Sequence, residues 1–161
     1  MLEKIRAKMQ KKFEILPLHH IDTNILVEAL KDTKLGNQCV DYLNRVGYNY
    51  RGVLSVSVLG EYSMITYENL KEITDLEVAF DFVARLVKRR KVTFCGTSFE
   101  CYSIISKIKE VDTHIEPADA LHIAAAIIDK ANAFVTFDSA LLNSRKIESE
   151  FKIKIMHPND L

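Results

Sequence analysis

The 161-residue sequence carries 22 basic and 22 acidic side chains, so net charge draws it neither to nucleic acid nor to a membrane, and only clusters of one sign can do so. Its three cysteines, Cys39, Cys95 and Cys101, are an odd number without CxxC or Cys/His spacing, which argues against a disulfide framework or a zinc knuckle and fits a reducing cytoplasm. No run reaches the roughly 20 apolar residues that span a bilayer, so the expectation is a soluble protein: one domain over 13–161 behind a basic extension, 1–12.

In the extension, Lys4, Arg6, Lys8, Lys11 and Lys12 alternate with Leu2, Ile5 and Met9, the pattern of an amphipathic helix for the domain, a membrane surface or RNA, with packing on the domain the favoured reading. A first strand is predicted over Ile15–Ile21, ending at Asp22, with Thr23 as N-cap of a helix over Asn24–Lys31. Gly36–Val46 sets Cys39, Tyr42, Leu43 and Val46 on one helical face, and Gly47 ends that helix. Gly52–Val58 alternates as a second strand and passes into a helix over Leu59–Asn69, with Glu61 in its first turns. Thr74 with Glu77 and Thr97 with Glu100 match capping boxes for two more helices, separated by a brief strand over Val92–Phe94. Pro117 suits the first turn of a helix over Ala118–Asp129, which places Asp119 in that turn. Ala133–Phe137 is long enough for a buried strand and too short for a helix, so Asp138 falls just past a strand end; Ser139–Leu142 then leads to an edge strand over Phe151–Met156. Strands separated by helices imply right-handed crossovers and an α/β fold: three α/β/α layers with a mostly parallel central sheet.

In a parallel sheet all strand C-termini share one edge, so Asp22, Glu61 and Asp138, which follow strands, converge there with Asp119, which opens a helix. Each acid alone has an ordinary explanation as a cap, a turn residue or an exposed helical side chain. Together they repel one another and must either take up protons or bind a cation, and an all-oxygen pocket suits Mg2+ or Mn2+.

The motifs IDTNIL around Asp22, SVLGEY around Glu61, PADALHIAAA around Asp119 and VTFDSALL around Asp138 resemble, in order and spacing, those of the PIN-domain nucleases, over nearly everything from Ile15 to Met156. The resemblance implies a metal-dependent endoribonuclease, most similar to the VapC-type toxins of type II toxin–antitoxin pairs. It makes Asp22, Glu61 and Asp119 the core catalytic and metal-binding acids, Asp138 the fourth, and Asn24 and Thr136 the polar groups behind them. It also implies RNA as substrate, in-line hydrolysis leaving a 5′-phosphate and a 3′-hydroxyl, a small antitoxin as partner and a homodimer. A housekeeping RNA-processing nuclease, or a module that binds RNA or protein without catalysis, would share these motifs.

His122, one helical turn after Asp119, is in reach of the acids but sits in a nearly all-apolar segment, LHIAAAII, where packing in the core is the simpler reading. The basic knot Arg85, Lys88, Arg89, Arg90 and Lys91 reads first as solvated surface. Arg89, Arg90 and Lys91 become RNA contacts if the knot lies on the acids' side of the sheet. The helix from Leu76 to Val87 is apolar around much of its circumference, which favours burial against a second copy. There is no Gly-rich phosphate loop, GxSxG elbow or Cys/His nucleophile pair, which removes nucleotide-cofactor and serine- or cysteine-hydrolase readings.

Overall fold

The structure, a computed structural model, describes residues 2–69, 73–89 and 91–161. In chain order it contains α1 (Leu2–Glu14), β1 (Leu18–Ile21), α2 (Thr23–Glu28), α3 (Lys34–Arg45), β2 (Arg51–Ser55), α4 (Val56–Asn69), α5 (Ile73–Lys88) and β3 (Val92–Cys95). There follow α6 (Glu100–Val111), α7 (Pro117–Ile128), β4 (Ala133–Val135), α8 (Ser139–Leu142), α9 (Arg145–Phe151) and β5 (Lys154–Met156). The five strands form one all-parallel sheet in the order β3-β2-β1-β4-β5.

Alternation along the strands divides the core in two. Ile21, Ala133 and Val135 face a cluster built with Ile25, Leu26, Tyr42, Leu54, Tyr62 and Val83, so α2 to α5 cover that face. Phe134 and Ile155 face a cluster with Ile108, Ile123, Leu141 and Ile147, so α6 to α9 cover the other. The chain steps outward from β1 to β2 and β3, then returns past β1 to β4 and β5. Connections leaving β1 and β4 therefore part to opposite faces, which opens a crevice at the C-terminal ends of those two neighbours.

The strands are shorter than their apolar runs. β1 starts at Leu18 because Pro17 lacks an N–H, while Ile15 is exposed. β2 stops at Ser55, whose Oγ accepts from Val58 N at 3.2 Å and so starts α4 three residues before the alternation ends, putting Glu61 in the helix's second turn. β4 ends at Val135, and β5 begins only at Lys154, because Phe151 belongs to α9 and Lys152 turns the chain with φ 56°. The helix after β1 starts at Thr23 rather than being capped by it. Asp22 is the cap, and its carboxylate accepts from Thr23 N at 2.7 Å. The box expected of Thr97 does not form, since α6 begins at Glu100 behind Phe99 with no side-chain cap; the side chain of Thr74 lies outside the described residues.

In the basic knot, Arg85, Lys88 and Arg89 are exposed, as the solvated-surface reading expects, and Lys91 is buried. Arg85, Lys88 and Arg89 close α5 and lead into the start of β3, at the sheet edge opposite the acids, and Arg85 pairs with Asp81 at 3.3 Å. Lys91 is 8% exposed. Its Nζ donates to Leu43 O, Asn44 O and Val46 O at 3.1, 2.6 and 3.0 Å, and lies 5.0 Å above the Tyr48 ring. The ammonium thus satisfies the last carbonyls of α3 at the negative end of its dipole and is not available to an RNA backbone. Arg90 lies outside the described residues. Gly47, at φ 88°, turns the chain out of α3, and at Gly52 a Cβ would meet Val46 Cγ1 at 2.7 Å, so α3's end packs directly on bare β2 backbone.

α5 buries Ala79, Val83 and Leu86 and leaves Val78 and Phe80 exposed, so its apolar surface is only half used by the fold. α1 runs through the expected boundary at residue 12 to Glu14; the side chains of Leu2, Ile5 and Met9 lie outside the described residues. Among the described residues no helix is long and apolar enough to cross a membrane.

Candidate metal centre

β1 delivers Asp22 to the crevice. The residue is 4% exposed; Oδ1 caps α2, and Oδ2 accepts from the Thr136 hydroxyl at 2.6 Å. Thr136, just past β4, is completely buried, and its hydroxyl is used in full. It gives its one proton to Asp22 and accepts from Asn24 Nδ2 at 2.9 Å and from Asp138 N at 3.0 Å. One hydroxyl therefore ties the ends of β1 and β4 together and orients the acid on each. Thr136→Val keeps the volume but strands a buried carboxylate oxygen and two donors. We expect a loss of about 2 kcal/mol in denaturant unfolding, and divalent-metal affinity lowered by about 10- to 100-fold in calorimetric titration.

Glu61 enters from α4 and accepts a short hydrogen bond from the Thr23 hydroxyl, so Thr23 orients a second acid instead of capping a helix. His122, one turn along α7 from Asp119, is 2% exposed and lies between the two acids, with Nδ1 3.7 Å from Asp22 Oδ1 and Nε2 3.8 Å from Glu61 Oε2. One donor atom from each of Asp22, Glu61 and His122 lies within 4.8 Å of both others. The histidine is thus buried as its apolar neighbourhood suggested, yet part of the acidic cluster. The sequence signal for it was the three-residue spacing from Asp119.

Asp119 stands at the third position of α7, after Pro117 at the first, where the helix dipole favours a negative charge. Burial, then the nearby charges of Asp22 and Asp138, push its carboxyl up from 3.8 to about 6; Glu61 adds to this and His122 opposes it. Asp138 caps α8, accepting from Ala140 N at 2.7 Å and Leu141 N at 3.1 Å. All four predicted acids line one open cavity of about 540 Å³, with Lys31 and His114 also on its wall. Lys31 is held by Glu28 at 2.7 Å.

A divalent cation fits this donor set. Like charges crowd together, the Nδ1 of His122 is buried without a hydrogen-bond partner among the described residues, and the carboxylates offer hard oxygen donors. The imidazole nitrogen makes manganese at least as good a match as magnesium. Arg85, Lys88, Arg89 and Lys91 do not line this cavity, and Tyr42, Tyr50 and Tyr62 are buried in the core.

An all-parallel α/β sheet with a cluster of acids at its switch point defines a class: an α/β protein whose acidic crevice has the donors to hold a cation. The PIN-domain family model matches residues 20–146, and the chain belongs to that family. Its fold is similar to a chain of VapBC2 from Rickettsia felis, solved bound to a DNA fragment from its promoter, at 18% identity and TM-score 0.66, covering 87% of this chain and 98% of that one. It is also similar to FitAcB from Neisseria gonorrhoeae (16% identity, TM-score 0.63, 89% and 99% covered) and to VapBC-1 from nontypeable Haemophilus influenzae (14%, 0.61, 88% and 98%). No curated protein matches the chain in sequence.

Proposed function

We propose that the protein is a Mg2+- or Mn2+-dependent endoribonuclease and the toxin of a type II toxin–antitoxin pair. The observation that carries the first part is the convergence of Asp22, Glu61, Asp119 and Asp138 in one cavity, with His122 buried against Asp22 and Glu61. Asp22, Glu61 and Asp119 would hold the metal, with His122 as a nitrogen donor and Asp138 as the fourth acid. A bound divalent cation supplies a water of lowered pKa and offsets charge on the scissile phosphate. Asn24 and Thr136 keep Asp22 aimed inward, and Thr23 does the same for Glu61. Lys31 and His114, on the cavity wall, would be available to an incoming phosphate backbone.

The toxin assignment is supported by family membership and by fold likeness to VapBC and FitAB structures. Val78 and Phe80 on α5, with Met64 and Tyr67 on α4, leave apolar area exposed for an antitoxin or a second copy. The test is cleavage of total RNA by purified protein with Mg2+, Mn2+ or chelator, followed by growth of cells expressing it with and without the product of the neighbouring small reading frame. Metal-independent cleavage, or none with either ion, overturns the enzyme assignment; cleavage without growth arrest overturns the toxin assignment.

The raised carboxyl of Asp119 sets a pH dependence. The folded, metal-free chain holds that proton more tightly than the unfolded chain, so the group's contribution to stability is full below 3.8 and is lost as pH rises through about 6. Metal binding runs the other way, because the ion must displace the proton. At a hundredfold excess over its dissociation constant, Mn2+ should raise the melting temperature by about 5–10 °C at pH 7.5. The shift should shrink steadily below pH 6; an equal shift at pH 5 would rule out Asp119 as a ligand.

A further inference from the structure

A second cluster of donors lies away from the acidic cavity, and its members are far apart in sequence. His20, 2% exposed, points from β1 to the face covered by α6 and α7, and its Nε2 is 2.9 Å from Oδ2 of Asp129, the residue that closes α7. Cys95 ends β3, two strands from β1, and is partly buried. One donor atom of each, an imidazole nitrogen, a thiol sulfur and a carboxylate oxygen, lies within 4.8 Å of both others. Asp129 is ten residues from Asp119, so about 15 Å of helix separates the cluster from the first turn of α7.

We propose that His20, Cys95 and Asp129 form a site for Zn2+, with a solvent-facing fourth position. The donor set is mixed and borderline-soft, which selects zinc or cobalt over the magnesium and manganese suited to carboxylates. Three protein ligands within a few ångströms match the tetrahedral sites that keep one position open, and Asp129, whose side chain is 31% exposed, gives that position access to solvent. Neighbouring strands are about 4.8 Å apart, so the ion would bridge roughly 10 Å of sheet over β2 and fasten edge strand β3 to β1 and to the end of α7. On binding, the thiol gives its proton to solvent as the sulfur–zinc bond forms. The three cysteines show no zinc spacing in sequence because only one of them belongs to the site.

Cobalt(II) reads the site, because a cysteine ligand gives a near-ultraviolet thiolate-to-cobalt band that the acidic cavity cannot produce. Chelator-treated full-length protein titrated with Co2+ should develop this band, with a final amplitude that corresponds to one thiolate-bound Co2+ per chain. It should be lost in Cys95→Ser, weakened in Asp129→Ala, and retained in Cys101→Ser and Asp119→Asn. In the unsubstituted protein, Zn2+ but not Mg2+ should slow alkylation of Cys95, mapped by mass spectrometry, by at least tenfold. This second measurement does not depend on how any variant folds. Absence of the band, its persistence in Cys95→Ser, or alkylation of Cys95 unaffected by Zn2+ would each overturn the site.

Discussion

Asp119→Asn should lower RNA cleavage by at least about 100-fold and at the same time make the metal-free protein more stable. The two effects share one cause. Asp119 is held among three other carboxylates, and its carboxyl, raised to about 6, records the cost of ionising it there. An amide removes that cost, worth about 1 kcal/mol at pH 8 once solvent screening at a partly exposed position is allowed for. The amide also removes a charged oxygen donor from a hard cation, which the remaining acids cannot replace at that place. Asp138→Asn should cost less activity, within about tenfold, because an asparagine oxygen can still cap α8 and the group is half-buried, where water can replace it. Denaturant melts and single-turnover cleavage at saturating Mn2+ check both halves. Asp119→Asn with full activity would remove the metal centre as the catalytic site, and a destabilised apo variant would show that the carboxylates do not repel as their packing implies.

Lys91→Met should cost about 3 kcal/mol, lowering the melting temperature by about 6–12 °C, with no effect on RNA affinity. The substitution keeps the apolar stem and removes three donors from the carbonyls of Leu43, Asn44 and Val46, at the buried end of α3. Each bond is charge-assisted, and each carbonyl left behind has lost its partner in the fold. Arg89→Met, at an exposed neighbour of the same sign, should change stability by less than about 0.5 kcal/mol. Urea unfolding of the two variants separates a helix-capping cation from a solvated one. Equal, small losses would mean that water replaces the ammonium at those carbonyls.

The order of elements and the acids' common edge could be read from the sequence because both rest on local signals. Apolar period distinguishes strand from helix, and alternating β and α elements leave few topologies besides a parallel sheet. Strand ends were harder to read. The alternation of Gly52–Val58 describes which side chains would be buried if the segment stayed extended, whereas the Ser55 hydroxyl offers Val58 N a better partner and starts a helix. Phe151 likewise fits an edge-strand pattern and a helix end equally well, and packing decides for α9.

The sequence by itself determined the fold class, the family motifs and the four acids, since a residue's place before or after a strand is a property of a dozen neighbours. Tertiary structure alone decided that His122 stands between Asp22 and Glu61, that Thr23 serves Glu61, that Lys91 is buried beneath α3, and that His20, Cys95 and Asp129 meet. Each of these depends on the strand order β3-β2-β1-β4-β5 and on which helix covers which face. Local periodicity carries no record of that order, because the burial free energy of a side chain depends on being covered and hardly at all on which distant segment covers it.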